Sequence, residues 1–429
     1  MMLTSLLYDI TITLAALMML PKIIYQRFRI GKYKESMLQR FGIAFPKIDK
    51  KDRPLVWVHA VSVGETKAVA PVVRKLKKEF NNPIVVVSST TETGHAEAKR
   101  SAACADYHVY LPLDFRWIIR PIIRRIRPDL IILTETDFWW NFLRSAKKLG
   151  TKIVLVNGKL SERSVNRFRF LRFFTKRLFS HIDIFCVQSA HYYNRFLSLG
   201  IPQERIVVTG NLKFDDEYPK LPPDELNQWK SELGIQKDDK VIVVGSTHDP
   251  EEAVFLDIME QLWAKYPSLK LVLVPRHPER FETVARLLSE RQVPFTRISK
   301  TADAKEAKVV LIDAMGLLRR CYQFADIAVV AGSYTNKVGG HNIIEPCWYG
   351  VPVLFGPYMH QQPELVELIK QYQAGMQVDV PQIAEQMSSL LKDDASRQEM
   401  GARGLELAGA SRGATDKTWH VLEREFQKQ

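Results

Sequence analysis

Short apolar runs alternate with longer amphipathic segments along most of this 429-residue chain, and this alternation limits the possible folds more than any other feature. From Leu55 onward, runs such as VWVHAVS, IVVVSST, LIILTET and KIVLVNG have the composition of strands, and several are apolar on both faces. Segments such as TKAVAPVVRKLKKEF lie between them and have the spacing of helices. Strand–helix alternation predicts an α/β fold with parallel, doubly wound sheets, because crossover helices connect parallel strands.

The alternation stops between Arg205 and Lys230, in a stretch rich in proline and acidic residues, and restarts with KVIVVGSTH. A chain of this length is too long for one ordinary core, so we expect two Rossmann-like domains joined by a linker. Their ligand cleft is expected between the facing carboxyl ends of the strands. The predicted divisions are an anchor at 1–22, a first domain at 23–213, a linker at 214–226, a second domain at 227–395 and closing helices at 396–429.

The amino terminus, MMLTSLLYDITITLAALMML, is apolar over about one bilayer crossing and is interrupted only by Asp9. After Pro21, the thirteen residues KIIYQRFRIGKYK are basic and contain no acid, so the positive-inside rule predicts a cytoplasmic body. A cleaved signal peptide would carry its charge before the apolar run. Because Asp9 is costly at membrane depth, a shallow anchor and a full span both stay open, with a first core helix as the alternative.

The charge balance indicates anionic partners, because 61 Lys and Arg residues stand against 48 Asp and Glu residues. The segment from Arg163 to Phe179 interleaves six cations with five phenylalanines. This pattern suits either single-stranded nucleic acid or a helix in an anionic membrane surface. The apolar anchor favours the membrane, so no nucleic acid is expected. The arginines assigned to this acceptor and membrane surface are Arg163, Arg167, Arg169 and Arg172.

Unusual polar residues cluster directly after the predicted strands, where a cleft would lie. In the first half, Glu65 follows VWVHAVSVG and opens a helix, either as a complement to the helix dipole or as a catalytic base. Lys213, in GNLKF, suits a leaving phosphate, although a lone lysine is more often solvated. Together these residues predict a reaction site at one edge of the first sheet.

The second half offers groups suited to a nucleotide. The loop GGHNIIEP supplies two glycines and, we expect, a helix N-terminus that favours phosphate, with Glu345 placed to accept from ribose hydroxyls. Arg276, in PRHPER, follows a strand and suits bidentate contact with a phosphate or carboxylate. The alternatives are an ordinary glycine turn and a surface charge.

Several site classes lack support in the sequence. There is no GxxxxGK[ST], HExxH, DxD or GxSxG motif, and the four cysteines are far apart without CxxC spacing. We therefore expect no metal site, no cofactor and no disulfide.

The motifs HAVSVGE, TETDFW, NGKLSERS, GNLKFD, GSTH, LVPRHPER and GGHNIIEP occur in this order. Together they resemble the bacterial 3-deoxy-D-manno-octulosonic acid (Kdo) transferases of lipopolysaccharide core synthesis, over essentially the whole chain. The resemblance implies an inverting glycosyltransferase of the GT-B fold. Its donor would be CMP-Kdo and its acceptor the lipid A precursor (lipid IVA), at the cytoplasmic face of the inner membrane. The sequence departs from the family pattern at Trp140 for proline, Asp137 for glutamate, Pro250 for glycine and Leu317 for an acid.

The resemblance also implies roles for matching residues. Glu65 would be the general base, and Glu135 and Lys213 would stabilise the transition state. CMP contacts fall on Pro275, Arg276, Met315, Gly316, Leu317, Asn342, Ile343, Ile344 and Glu345. Further donor contacts are expected from Ser246, Thr247 and His248. The rival hypotheses are a GT-B enzyme that uses a UDP-sugar on a lipid acceptor and a non-catalytic binding protein.

Overall fold

The computed structural model describes residues 2–29, 36–215, 218–300 and 306–427. Contacts divide the chain into two compact units. Unit 1 comprises Met1–Asp216 and Arg412–Gln429, and unit 2 comprises Glu217–Ser411. Each unit contains one seven-stranded sheet in which all the strand pairs are parallel. The prediction of two doubly wound α/β domains is confirmed.

Unit 1 begins with a long helix and then alternates strands and helices. Its elements are α1 (Met2–Arg29), α2 (Met37–Arg40), β1 (Leu55–His59), α3 (Val63–Glu79), β2 (Ile84–Ser89), α4 (Glu92–Ser101), β3 (Tyr107–Tyr110), α5 (Arg116–Ile126), β4 (Leu130–Thr134), α6 (Trp140–Lys147), β5 (Lys152–Gly158), α7 (Glu162–Phe170), α8 (Arg172–Phe179), β6 (Ile184–Val187), α9 (Ala190–Ser198) and β7 (Ile206–Val208). The strand order is β3-β2-β1-β4-β5-β6-β7. Every residue of β1 and β4 is buried, as expected for strands covered by helices on both faces.

Unit 2 repeats this architecture. Its elements are α10 (Pro223–Glu232), β8 (Val241–Thr247), α11 (Glu251–Trp263), β9 (Lys270–Pro275), α12 (Phe281–Glu290), β10 (Phe295–Arg297), β11 (Val309–Leu311), α13 (Leu318–Tyr322), β12 (Ile327–Val330), β13 (Val353–Phe355), α14 (Pro363–Tyr372), β14 (Gly375–Gln377), α15 (Val380–Lys392) and α16 (Asp394–Ala410). The strand order is β10-β11-β9-β8-β12-β13-β14. The final helix, α17 (Ala414–Gln427), belongs to unit 1.

The stretch from Arg205 to Lys230 is more ordered than its composition suggested. Its first part supplies β7, the edge strand of sheet 1, and its last part supplies most of α10. Trp229 of α10 is buried in the core of unit 2 with Val241 and Phe324. The linker interpretation is therefore wrong for both ends of this stretch. The proline and acidic residues dominate its composition, but the apolar residues among them pack into the cores of the two units.

Helix α1 is attached to unit 1 near its amino-terminal end. The Tyr8 hydroxyl donates to Asp114 at 2.7 Å, and the Asn141 amide donates to Asp9 at the same distance. Trp140, which is buried, donates to the Ser5 hydroxyl at 3.3 Å. Asp9 thus has a polar partner in unit 1, which explains how an apolar helix accommodates it.

Candidate active site

Both sheets reverse their strand order once, and some of the sequence-predicted site residues follow the strands at these reversals. In sheet 1 the reversal falls between β1 and β4, with β2 and β3 on one side and β5 to β7 on the other. Ligand sites of doubly wound folds form beyond the carboxyl ends of strands at such a switch point. Glu65 follows β1, and Glu135 directly follows β4.

Glu65 lies in the first turn of α3 and forms a capping box with Ser62. The Ser62 hydroxyl oxygen accepts from the Glu65 backbone N–H at 3.3 Å and donates to Glu65 Oε1 at 3.1 Å. Glu65 Oε2 accepts from the Val61 backbone N–H at 2.9 Å. These contacts satisfy N–H groups that the helix itself leaves unpaired, so Glu65 has a structural role at the helix start.

The environment of Glu65 also favours its protonated form. Burial raises the pKa of the Glu65 carboxyl above its ordinary value, and the negative charges of Glu135 and Asp137 raise it further. The hydrogen bonds from Val61 and Ser62 act in the opposite direction without cancelling the rise. A carboxylate with a raised pKa is a stronger base, which suits proton abstraction near neutral pH.

Glu135 is buried and held between two lysines. Lys213 Nζ lies 2.7 Å from Oε1, and Lys159 Nζ lies 2.8 Å from Oε2. Burial alone would raise the pKa of Glu135, but Lys213 and Lys159 together outweigh burial and lower it. Glu135 therefore stays ionised. Its backbone φ of 62° is left-handed, a strained conformation for a residue with a side chain, and such strain is common at functional sites.

Lys213 connects Glu135 with the loop that carries Glu65. A Cβ placed on Gly64 would lie 3.9 Å from Lys213 Nζ, so the ammonium group lies beside that loop. The backbone before Lys213 is fixed by Asn157, whose Oδ1 accepts from the Leu212 N–H at 3.0 Å. The structure thus brings Glu65, Glu135 and Lys213 together at one edge of sheet 1.

Sequence reasoning did not show how other residues position these three. Lys159 and Asn157 were visible in NGKLSERS, but nothing in the sequence pairs them with Glu135 or with the turn before Lys213. The buried His59 links β1 to the loop after β4, since its Nε2 lies 3.2 Å from Asp137 and its Nδ1 lies 2.8 Å from the Ser88 hydroxyl. The only available signal was the position of all these residues at strand ends.

In sheet 2 the reversal falls between β8 and β12. His248, after β8, and His341, in the loop after β12, approach to 2.8 Å between their Nε2 atoms. Burial and nearby positive groups lower the pKa of both, that of His341 to about 4. Both rings are therefore neutral near neutral pH, and one donates to the other. The contact requires glycine at Gly332, where a Cβ would lie 2.5 Å from His341 Cδ2.

Two buried acids brace the loops at this second reversal. The Glu251 carboxylate accepts from the backbone N–H groups of His248 at 2.9 Å, Gly332 at 2.8 Å and Tyr334 at 3.0 Å. Glu252 accepts from the Thr247 hydroxyl at 3.0 Å. The Thr247 side chain is therefore buried and engaged within the protein, whereas Ser246 beside it is partly exposed with a φ of 61°.

The other residues assigned to the donor differ in what they present. Arg276, directly after Pro275 of β9, is exposed. Met315 and Gly316 are exposed and Leu317 is half-buried, but none of the three carries a charge. The half-buried polar side chains of GGHNIIEP are His341, Asn342 and Glu345, and Arg319 lies 3.5 Å from Glu345.

The helix that was expected after GGHNIIEP does not form as predicted. Ile343 and Ile344 are fully buried, so only their backbone is available to a ligand. The following segment, Pro346–Tyr349, is a four-residue 3₁₀ helix. A single short turn has little dipole to offer a phosphate. The expectation of a helix N-terminus at this loop is wrong, because Pro346 and Gly350 limit the turn.

The basic–aromatic segment forms two helices, α7 and α8, which meet at Leu171. Arg163, Arg167, Arg169 and Arg172 are all exposed. Phe170 and Phe173 are exposed beside them, whereas Phe168, Phe174 and Phe179 pack against the core of unit 1. The segment therefore presents arginines and two aromatic rings to solvent.

Comparison with known proteins adds independent information. The family described as "3-Deoxy-D-manno-octulosonic-acid transferase (kdotransferase)" matches residues 35–216, and "Glycosyl transferases group 1" matches residues 227–406. The chain is 37% identical to a 3-deoxy-D-manno-octulosonic acid transferase of Chlamydia muridarum, over 99% of this chain and 98% of the relative. It is 31% identical to the Haemophilus influenzae enzyme of the same name, over 91% and 92% of the two chains.

A solved glycosyltransferase from Rickettsia africae has the same fold, with a TM-score of 0.62 and 14% identity over 88% of this chain and 99% of that one. The two parallel seven-stranded sheets and this likeness identify the architecture as GT-B. The family match covers the unit that carries Glu65, Glu135 and Lys213, and the relatives match nearly end to end. The chain belongs to the 3-deoxy-D-manno-octulosonic acid (Kdo) transferase family of glycosyltransferases.

Proposed function

We propose that the protein transfers Kdo from CMP-Kdo to the lipid A precursor (lipid IVA) with inversion at the anomeric carbon. The acceptor hydroxyl oxygen bonds to the anomeric carbon as the bond from that carbon to the phosphate oxygen of CMP breaks. The hydroxyl proton passes to Glu65, and the bonding electron pair leaves with CMP. The observation that carries the proposal is the group formed by Glu65, Lys213 and Glu135 at the switch point of sheet 1, in a chain of this family.

Glu65 can act as a base without leaving its capping box. Each carboxylate oxygen has two lone-pair positions, and each accepts one of the two hydrogen bonds from Val61 and Ser62. One position on each oxygen is thus open to a hydroxyl proton. The cap fixes the direction of the carboxylate, which lowers the entropic cost of aligning base and acceptor.

Cations are needed where negative charge collects. The donor carries a carboxylate on Kdo and a phosphate that gains charge as it leaves. Lys213 supplies a cation in unit 1, partly exposed and held by the ionised Glu135. Arg276 supplies a second cation in unit 2. Preorganised charges of this kind favour the transition state, because they need no rearrangement as the bond breaks. Because CMP is its own phosphate leaving group, the reaction proposed here uses no metal.

The proposed place of action is the cytoplasmic face of the inner membrane, and helix α1 supports attachment to a membrane. It is long and apolar enough to cross a bilayer by length and composition. Beyond its contact with unit 1, large apolar side chains such as Leu17, Met18, Met19 and Phe28 are exposed to solvent. A membrane would cover these side chains and hold the enzyme beside an acylated acceptor.

The test is to incubate the purified protein with CMP-Kdo, generated in place, and a tetraacyl lipid A precursor without added metal. Mass spectrometry should show mass increments of whole Kdo units. Glu65→Gln should lower turnover by about 10² to 10⁴-fold while CMP binding is kept, because glutamine retains an oxygen for the cap but cannot take the proton. No increment with folded protein and intact donor would overturn the proposal.

A matched control separates catalysis from capping. Ser62→Ala removes the Ser62 hydroxyl from the capping box but leaves the Glu65 carboxylate in place. We expect it to cost about 1 kcal/mol of stability and to leave most of the turnover. If Ser62→Ala and Glu65→Gln lower turnover equally, Glu65 acts through the helix start rather than as a base.

A further inference from the structure

A group of cations in unit 1 lies outside the reaction site described above. Arg116, Arg120 and Arg124 recur every fourth residue of α5 and so share one face of that helix. Arg144 of α6 and Lys148 directly after it line the same cavity. We call these five residues the α5–α6 basic cluster. The apolar residues of α5, such as Ile119 and Ile123, are buried on its other face.

The positive charges of the α5–α6 basic cluster are not balanced by ion pairs among the described residues. In the part of the chain that the structure describes, none of its five cations forms an ion pair, and the buried Nε of Arg144 has no hydrogen-bond partner. By contrast Lys147, which directly precedes Lys148 and lies three residues after Arg144, is paired with Asp183 at 2.7 Å. Clustered unpaired cations repel one another, and this repulsion costs free energy. A bound anionic ligand would offset that cost, so the cluster indicates an anion-binding site.

Electrostatic effects on two cluster residues agree with this reading. Burial, followed by the charge of Arg116, lowers the pKa of Arg144. The charge of Arg144, followed by burial and then Arg120, lowers the pKa of Lys148. Arg144 and Lys148 therefore sense the positive charge of arginines on α5 across the cavity. A bound anion would relieve this repulsion.

The cluster lines a real cavity. Two adjoining depressions of about 740 and 340 Å³ share Arg116, Arg120 and Arg124 as walls. Volumes of this order hold small ligands, and a phosphate with its attached glycerol group is of that size. Asp9 is the one acid that lines the larger depression among the described residues, and its Oδ1 accepts from Asn141. Three of the five cations thus share this depression with a single carboxylate that is already hydrogen-bonded.

The surroundings of the cavity indicate which kind of anion it takes. Thr13 of α1 lines the larger depression together with Phe115 and Trp117, and Trp117 is 68% exposed. Exposed tryptophans are typical of the membrane–water interface, and basic pockets beside membrane helices bind anionic lipid headgroups. The neighbouring exposed apolar surface of α1 would lie along the acyl chains of such a lipid.

We propose that the α5–α6 basic cluster binds the phosphate headgroup of an anionic membrane glycerophospholipid. This inference rests on the membrane placement in the proposed function but assigns a separate lipid site, distinct from the acceptor's reacting hydroxyl beside Glu65. The bound lipid seats the body of unit 1 against the membrane beside α1. Lipid composition, in addition to the apolar helix, then sets how tightly the enzyme binds.

The test compares the full chain on vesicles of phosphatidylcholine alone and on vesicles of equal parts phosphatidylcholine and phosphatidylglycerol. The wild type should bind the phosphatidylglycerol vesicles more tightly. Arg120→Gln/Arg144→Gln should lose about fivefold in affinity per arginine on these vesicles only. The matched control is Arg74→Gln/Arg125→Gln, which removes two exposed cations outside the cavity and should lose less than about threefold in all.

The outcomes separate this inference from the function on which it rests. Equal losses in the two double variants would overturn the site, because they would show attraction to general surface charge. The KM for detergent-dispersed acceptor should not change in Arg120→Gln/Arg144→Gln; a raised KM would overturn the lipid assignment in favour of a phosphate of the acceptor. If the wild type binds neither kind of vesicle, the proposal that the protein attaches to a membrane is itself wrong. Vesicle binding is read without donor, so it is independent of whether Kdo is transferred.

Discussion

Glu135 in unit 1 and Glu251 in unit 2 are both buried glutamates at the switch point of a seven-stranded parallel sheet, but their partners differ. Glu135 is held by the side chains of Lys213 and Lys159, and its pKa is lowered. Glu251 is held by backbone N–H groups of three residues, and burial raises its pKa. The Glu135 carboxylate orients the ammonium groups of two lysines, whereas the Glu251 carboxylate fixes the backbone of the loops after β8 and β12.

This difference separates two tasks within one architecture. Unit 1 keeps charged side chains partly exposed at its strand ends, which suits groups that stabilise a changing charge distribution. Unit 2 uses its buried acids to shape the loops and presents Arg276, glycine turns and neutral histidines, which suits holding a nucleotide. Variants in each unit should therefore fail in different ways.

The largest effect is expected in unit 1. Lys213→Met should lower turnover by about 10² to 10³-fold, because it removes the preorganised cation that we propose stabilises the leaving group. Lys159→Met is the matched control, since Lys159 is the other partner of Glu135, and should cost clearly less. Steady-state kinetics of Kdo transfer measure both. Equal losses would mean that holding Glu135 is the main role of both lysines, which would weaken the contrast between the units.

The next effect concerns the folding of unit 2. Glu251→Gln replaces an acceptor by an amide that cannot accept from all three backbone N–H groups, so we expect a loss of about 2–3 kcal/mol in the free energy of unfolding. Urea unfolding measures it. Glu260→Gln, at an exposed position of the same helix, should change stability by less than about 0.5 kcal/mol. A stable Glu251→Gln protein would show that the loops at the second switch point do not depend on this brace.

A smaller effect is expected for donor binding. Arg276→Gln should raise the KM for the donor about tenfold and leave turnover largely unchanged, because the guanidinium is assigned to ground-state contact with a phosphate or carboxylate. Arg286→Gln, at an exposed position on α12, is the control and should have little effect. If Arg276→Gln lowers turnover instead, unit 2 also takes part in the chemical step.

The smallest effect is a shift in pH dependence. The proposed base, Glu65, must be ionised to act, so activity should be present above the pKa of Glu65 and lost as the pH falls through it. Because that pKa is raised, the acidic limb of kcat/KM should lie at higher pH than for an ordinary glutamate. The Ser62 hydroxyl favours the ionised form, so Ser62→Ala should move the limb to still higher pH. A shift to lower pH, or none, would contradict this account of the base.

The fold was largely predictable because strands buried on both faces leave long apolar runs, as in β1, β4 and β8. The position of Glu65 and Glu135 at strand ends followed from the same pattern. Strands β10 (FTR) and β14 (GMQ) escaped prediction because each is short and has at most one buried residue, so neither forms an apolar run. The helix expected after GGHNIIEP failed because glycine and proline signals mark a turn without fixing its length.

Side-chain partnerships were beyond the sequence. The Lys159–Glu135 pair joins residues from different strand ends, and the His248–His341 contact joins residues 93 positions apart. Trp140 looked like a simple departure from the family pattern, but it is buried and contacts Ser5 and Tyr8 of α1. Such long-range contacts depend on how elements pack, which local periodicity does not encode.

Helix α17 is the last element to be synthesised but packs in unit 1, so unit 1 cannot complete its fold until translation ends. Trp419 and Leu422 of this helix are buried in the same core as Val69 and Val73 of α3, and Asp215 accepts from the backbone N–H of Gly413 at 2.7 Å. Unit 2 is synthesised completely before these residues emerge. Until then, the apolar surface of unit 1 that α17 covers, which includes Val69 and Val73, stays exposed. We expect chaperones to bind this surface during translation.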